Sequence, residues 1–347
     1  MNHIEELGRH AFHELRARDA WNQRDYEQAR RIAGEAIELA LDKNDQIAWW
    51  NMTFLQAECL KKEGAIPEAE SVVRLLHHHP LTVRFPDLAA RVSTFLAVAL
   101  QGRGNLDEAI EEARHAVAMA MAASESPDLH IGAKHALIAA LAESDRVDEA
   151  WTECLGLAGL ITSDVNSQTA GKAYWVIGNV AYLRQDAETG TEYHQRAAKN
   201  LSPTNDLDLW AKFNRASAAL RLAAGVVEPE TLECIERAEM ASSIVGGSER
   251  DKLELALTRA HWLFLTGQFA AAVERLKPVC AASSLLAKQT SAEAFLLLGQ
   301  SQSQNNNPVE GLIHLERSRE LFHQSGARDR ESHVRKLIEE FRQTASL

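Results

Sequence analysis

A short signature that recurs about every 40 residues constrains the fold of this chain more than any other feature of its sequence. Each copy is a turn, an acidic or proline-containing helix start and then a small residue, as in Gly-Asn-Leu-Asp-Glu-Ala at residues 104–109. The small residues are Ala29, Ala69, Ala109, Ala150, Gly190, Ala272 and Gly311. The interval between Gly190 and Ala272 is doubled, which predicts a degenerate copy at Thr231. A fixed period of this length is typical of proteins built by stacking similar units.

Each unit is predicted to contain two helices. After the third signature, apolar residues recur at the i, i+3, i+4, i+7 spacing of one helix face from Ala109 to Val117. Several units carry a second small residue twelve positions before the first, namely Ala17, Ala57, Ala97, Gly178, Ala260 and Gly299. Small residues on both helices allow the two backbones to approach closely at one crossing point. The pattern therefore predicts repeated helical hairpins.

The residues around Gly178 and Gly299 resemble the tetratricopeptide (TPR) repeat. The first helix of each of these hairpins has two large residues, then Gly, then a fourth residue of the motif about one turn later. The two sets are Tyr174, Ile177, Gly178 and Ala181, and Phe295, Leu298, Gly299 and Gln302. The step of about 40 residues is longer than the family's roughly 34. Units of this length are similar to the sensor arrays of bacterial peptide-pheromone receptors and some bacterial transcription activators. The resemblance implies an all-α, right-handed α-solenoid of about eight TPR-like hairpins plus a C-terminal capping helix.

One superhelical domain over residues 1–347 is expected. The predicted units are residues 1–45, 46–84, 85–125, 126–165, 166–203, 204–247, 248–286 and 287–325. A further helix at residues 327–343 places Val334, Leu337, Ile338 and Phe341 on one face. Because a terminal repeat has no neighbour to cover its apolar side, this helix is expected to cap the array.

The charge and the cysteines limit the classes of partner. A formal net charge of −12 repels phosphate backbones and anionic lipid heads, so neither direct nucleic-acid binding nor membrane binding is expected. The four cysteines are widely separated in apolar stretches, as expected of core residues in a reducing compartment. The first residues lack a signal-peptide pattern, and no apolar run approaches the roughly 20 residues that span a bilayer. We therefore expect a cytoplasmic protein.

Catalytic and metal-binding motifs are not found in the sequence. There is no G-x-S-x-G, P-loop, H-E-x-x-H or dinucleotide-binding motif, which predicts a protein that is not an enzyme and has no cofactor. The consecutive His77, His78 and His79 would point about 100° apart on a helix, so they cannot all face one ion. They are interpreted as residues at a helix C-terminus, where the dipole favours positive charge. His10 and His13, one turn apart, are interpreted as part of a solvated face, and no metal is expected.

A binding surface is predicted from the resemblance. In TPR-like superhelices the first helix of each hairpin lines the concave face, which corresponds to positions three before, one after and four after the small residue. These positions, with one cation a turn earlier, give Arg18, Trp21, Phe54, Glu58, Lys61, Lys172, Trp175, Asn179, Tyr182, His261 and Phe264. Aromatic rings, an amide and cations on one face suit an extended peptide. The alternative is that the aromatic rings pack against the next hairpin.

These expectations favour a non-catalytic scaffold that binds a peptide or protein on its concave face. The alternative is a peptide-responsive regulator, or the sensor part of a bacterial transcription regulator. No helix-turn-helix precedes the first repeat, so such a regulator would act through another protein or through a DNA-binding segment outside this sequence. A third class, an enzyme with a site hidden between repeats, has no supporting motif. The sequence leaves a homodimer open.

Overall fold

The computed structural model describes residues 3–123, 127–246 and 248–345, with side chains described for residues 11–123, 127–246 and 248–342. Within these ranges the chain forms eighteen α-helices and one short 3-10 helix, and no β-strand. The predicted all-α repeat fold is confirmed. None of the described helices combines the length and the apolar character needed to cross a bilayer.

Two compact units make up the chain, unit 1 up to Arg184 and unit 2 from Gln185. The prediction of one continuous domain stays a prediction. The helices of unit 1 are α1 (His3–Asn22), α2 (Tyr26–Asp42), α3 (Gln46–Glu63), α4 (Ile66–His77), α5 (Pro80–Arg84), α6 (Pro86–Gly102), α7 (Leu106–Ala123), α8 (Pro127–Glu143), α9 (Val147–Ala158) and α10 (Ser167–Leu183).

Unit 2 continues the alternation of helices and short turns. Its helices are α11 (Ala187–Asn200), α12 (Leu207–Ala223), α13 (Pro229–Val245), α14 (Glu249–Leu265), α15 (Phe269–Ala281), α16 (Lys288–Gln304), α17 (Pro308–Gln324) and α18 (Arg328–Ala345). The 3-10 helix, Ser283–Leu285, follows α15.

The turn that begins each signature contains one residue in the left-handed backbone region. Arg24, Gly64, Gly104, Asp145, Gln185, Gly225, Gly267 and Asn306 all have φ between 59° and 85°. A left-handed residue ends one helix and redirects the chain, which explains why glycine recurs there and why the other residues are polar. The small residues then pack at the crossing: Ala57 and Ala69, for example, are both fully buried.

The degenerate copy at Thr231 has its own packing. Thr231 is fully buried, and its hydroxyl accepts a hydrogen bond from Arg221 Nε at 2.9 Å. The same hydroxyl donates to the carbonyl of Val226 at 3.1 Å. The larger residue therefore satisfies a buried arginine that an alanine would leave without this acceptor.

The segment between the second and third pairs of helices forms the five-residue helix α5. Its Thr82 is buried and accepts a hydrogen bond from Trp50 Nε1 at 2.8 Å. The hydroxyl also donates to the carbonyl of Leu76 at 2.6 Å. This connection is therefore a packed element rather than a solvated loop.

Helix α18 covers the last hairpin as the sequence predicts. Val334 and Ile338 are buried against Phe322 and Leu315 of α17 and against Leu296 of α16. Leu337 and Phe341 pack at the edge of the same cluster. The terminal helix thus buries the apolar side that the final repeat would otherwise expose.

Candidate peptide-binding grooves

The first helices of three successive hairpins, α3, α6 and α8, line an open groove of about 560 Å³ in unit 1. We call it the unit 1 groove. Its lining residues are Phe54, Glu58, Lys61, Arg91, Thr94, Phe95, Val98, Asp128, Leu129 and Gly132. Apolar walls with a few charged groups are typical of ligand-binding clefts.

Two cations in the unit 1 groove lie over aromatic rings. The guanidinium carbon of Arg91 is 4.4 Å from the centroid of the Phe54 ring. Lys61 Nζ is 4.4 Å from the centroid of the Phe95 ring. These contacts fix the cations at the apolar wall instead of letting them extend into solvent.

The two cations of the groove are partly desolvated, although the carboxylates Glu58 and Asp128 also line it. Burial lowers the pKa of Lys61; Glu58 opposes this shift, whereas the charges of Lys62 and Lys172 add to it. Burial likewise lowers the pKa of Arg91, with Glu58 and Asp87 opposing the shift and Arg18 adding to it. An incoming carboxylate would gain from both desolvated cations.

The structure places the predicted residues of the first two hairpins differently. Phe54, Glu58 and Lys61 line the unit 1 groove. Arg18 is exposed on α1. Trp21 is partly buried, and its ring packs edge-on against Tyr26 with centroids 5.0 Å apart, across the turn between α1 and α2.

The predicted residues of α10 also differ in exposure. Lys172 is exposed, Trp175 and Asn179 are partly buried, and Tyr182 is only 6% exposed. The Tyr182 ring can therefore offer a ligand no more than an edge. The charge of Lys172 also affects His135 of α8. Burial of the His135 ring, followed by this positive charge, lowers the pKa of His135 to about 4.

Unit 2 contains a second and larger groove, of about 1130 Å³, which we call the unit 2 groove. Residues of α12, α14, α16 and α18 line it: Ala219, Ala223, Leu257, Thr258, His261, Phe264, Glu293, Leu296, Leu297, Gln300, Arg330 and His333. The predicted His261 and Phe264 both lie here. Most of the lining again comes from first helices, and the capping helix supplies the remainder.

His261 is neutral over most of the pH range in this environment. Burial, followed by the positive charge of Arg330, lowers its pKa to about 4. Arg330 Nε donates to Glu293 Oε1 at 2.8 Å, which holds the guanidinium group at the groove. A neutral imidazole offers one donor and one acceptor, so it can recognise a peptide amide.

Arg91, Glu293 and Arg330 are groove residues that the sequence analysis did not select. A signal for two of them was present. The positions six before Ala97 and six before Gly299 are Arg91 and Glu293, the same register that selected Lys172 before Gly178. Arg330 follows the last repeat, so no register points to it.

The four cysteines are buried and unbridged. Burial raises the pKa of Cys59, Cys154 and Cys280 to about 12, and it also raises that of Cys234. These thiols are neutral at physiological pH, as expected of core residues.

No protein-family model and no curated protein matches the sequence. Solved structures match the fold. The apo form of the quorum sensor NprR from B. thuringiensis is 11% identical with a TM-score of 0.62, over 90% of this chain and 87% of that one. A Rap protein complexed with Competence and Sporulation Factor is 12% identical with a TM-score of 0.61, over 98% and 99%.

A third match is a signal transduction ATPase with a tetratricopeptide repeat sensor, PH0952 from Pyrococcus horikoshii. It is 11% identical with a TM-score of 0.54, over 89% of this chain and 52% of that one. Identities this low show a shared fold and nothing finer. The chain has the α-helical repeat fold of TPR-type proteins.

Proposed function

We propose that this chain is a non-catalytic binding protein whose unit 1 groove holds an extended peptide segment carrying a carboxylate. The observation that carries the proposal is the pair Lys61 and Arg91, two desolvated cations set against the rings of Phe95 and Phe54. A ligand carboxylate between them forms charge-assisted hydrogen bonds. An apolar ligand side chain packs against the exposed Val98 of the lining, because the rings of Phe54 and Phe95 are only 5% and 4% exposed.

The net charge of the chain does not favour an acidic ligand; only the cations inside the groove do. With a net charge of −12, the protein as a whole repels anions. Selection of an acidic segment must therefore come from contacts inside the groove. Such binding is expected to weaken with added salt, because partly exposed charges are screened.

A random-peptide library displayed on phage tests the ligand side of this proposal. Selection on the full chain should enrich peptides with an Asp or Glu beside an apolar residue. Replacing that acid by its amide should weaken binding at least tenfold in fluorescence anisotropy. Enrichment of sequences without an acid, or equal affinity of the amide peptides, would contradict the proposed chemistry.

A second function, regulation by a ligand, is favoured by the fold matches. One match is a quorum sensor, another is a Rap protein complexed with Competence and Sporulation Factor, and a third carries a repeat sensor. In this case the bound peptide would change the dimensions of the chain and so its contacts with another protein. Small-angle scattering with and without a selected peptide discriminates the two functions, since unchanged dimensions support a passive scaffold.

A further inference from the structure

A cluster of metal-ligating side chains, which shares no residue with either groove, lies on the second helices of two neighbouring hairpins. His77 ends α4, and Glu112 and His115 are one turn apart on α7. One ligand atom from each of the three lies within 4.8 Å of the other two. The groove of unit 1 is lined by first helices, so this cluster is a separate feature.

The three side chains already face one another. His77 Nε2 is 3.7 Å from Glu112 Oε1. The rings of His77 and His115 have centroids 6.4 Å apart and planes tilted by 50°. Ligand atoms around a tetrahedral zinc ion are about 3.3 Å apart, given bonds of about 2.0 to 2.1 Å. The side chains of His77 and Glu112 are 30% and 27% exposed, so rotation of either can close the remaining gap.

Two further features of the cluster are consistent with a bound cation. His115 Nδ1 is 2.9 Å from the hydroxyl oxygen of Ser93, a buried residue of α6. When Nδ1–H donates to that oxygen, Nε2 is left to bind a metal, which is the usual arrangement of a ligating histidine. Glu112 Oε2 is buried and makes no hydrogen bond to the described residues. A buried carboxylate oxygen without a donor is costly, and a cation would satisfy it.

We propose that His77, Glu112 and His115 bind one Zn²⁺ ion, with a fourth position open to water. Two imidazole nitrogens and one carboxylate oxygen form a donor set that zinc takes with an open site, whereas calcium and magnesium prefer oxygen ligands alone. The ion links the end of α4 to the middle of α7 and so ties the second hairpin to the third. His77, His78 and His79 cannot share an ion, because consecutive residues point in different directions on a helix, so the other two ligands come from α7.

Zinc titration of the untagged full chain tests the site, with a chromophoric chelator as competitor. One Zn²⁺ per chain should bind with a micromolar or lower dissociation constant and raise the melting temperature. Glu112→Gln and His115→Ala should each weaken binding at least tenfold, while circular dichroism shows unchanged helicity. The matched controls Glu111→Gln and His78→Ala should bind zinc as the unaltered chain does.

Three results would overturn the proposal. One is the absence of zinc binding below about 100 µM, far weaker than protein zinc sites. Another is binding that the Glu112→Gln, His115→Ala double variant leaves unchanged, which would place the ion elsewhere, for example at His13 and His10; the side chain of His10 lies outside the described residues. The third is equal loss in the control variants, which would indicate a general charge effect.

Discussion

Gly299 of α16 and Gly311 of α17 meet at the crossing of the last hairpin. A Cβ atom built on Gly299 would lie 2.8 Å from the carbonyl oxygen of Gly311, and one built on Gly311 would lie 2.7 Å from the carbonyl oxygen of Gly299. The two backbones therefore touch, and no other residue fits either position without movement.

Alanine at either position should destabilise the chain. We expect Gly299→Ala and Gly311→Ala each to lower the free energy of unfolding by about 1 to 3 kcal/mol, because the added methyl group forces the helices apart. Urea denaturation followed by circular dichroism measures this. The control Gly34→Ala lies in α2 with open space around its Cβ position, and it should be neutral or stabilise by up to about 1 kcal/mol. Equal effects at the three positions would contradict the close crossing.

Such crossings could be predicted from the sequence because the steric requirement is local and repeats. The groove register repeats in the same way. It selected His261 and Phe264, which line the unit 2 groove, and around Gly299 it gives Leu296 and Gln300, which the sequence analysis did not select. Repetition made both visible without knowledge of the packing.

Contacts that occur once could not be predicted in this way. The hydrogen bond between Trp50 and Thr82 joins residues 32 positions apart, and nothing in the repeat pattern indicates it. The cluster of His77, Glu112 and His115 likewise depends on how α7 packs beside α4. Hydrophobic periodicity fixes which face of a helix is buried, but it does not specify which polar groups meet there.

The Trp50–Thr82 hydrogen bond should be important for stability. Trp50 is 1% exposed and Thr82 is 4% exposed. Thr82→Val keeps the shape but leaves the buried indole N–H of Trp50 without its acceptor, at an expected loss of about 1 to 3 kcal/mol in chemical denaturation. The Leu76 carbonyl keeps its second donor, the backbone N–H of His79 at 3.1 Å. Thr152→Val removes an exposed hydroxyl from α9 and should change stability by less than about 0.5 kcal/mol. A Thr82→Val variant as stable as this control would show that the bond contributes nothing.

Glu70 should make the stability of unit 1 depend on pH. It is 5% exposed and accepts hydrogen bonds from Arg74 Nε at 2.9 Å and from Arg103 at 2.6 Å. Burial acts to raise its pKa, but the hydrogen bonds from Arg103 and Arg74 lower it below the ordinary 4.5. The stabilisation is therefore complete above pH 4.5 and is lost as the pH falls through the lower folded pKa.

The variant Glu70→Gln tests the direction of this pH dependence. At pH 7 the variant should be less stable than the unaltered chain by about 2 kcal/mol, since two arginines lose a charged acceptor. That difference should shrink as the pH falls below 4.5 in parallel urea titrations. Glu68→Gln, an exposed change on the same helix, should show little difference at any pH. If the difference in unfolding free energy between Glu70→Gln and the unaltered chain grew as the pH fell, the lowered pKa of Glu70 would be refuted.

His261 should respond to the charge of Arg330. Its pKa of about 4 lies below the ordinary 6.5, so its protonation opposes folding as the pH falls from 6.5 towards 4. Arg330→Gln removes a repelling cation and frees Glu293, which should raise the pKa of His261. NMR titration of the imidazole protons measures it. Arg328→Gln, on the same helix, is the control, and an unchanged His261 pKa in Arg330→Gln would rule out the coupling.

The proposal that the unit 1 groove binds a carboxylate-bearing peptide is tested most directly by the affinity of a library-selected peptide for a double variant of the protein. Lys61→Met with Arg91→Met keeps the apolar stems and removes both groove charges. Lys199→Met with Arg31→Met makes the same charge change on exposed side chains that do not line the groove. We expect fluorescence anisotropy to show at least tenfold weaker binding to the groove variant and unchanged binding to the control. Equal affinity for the two variants would contradict it.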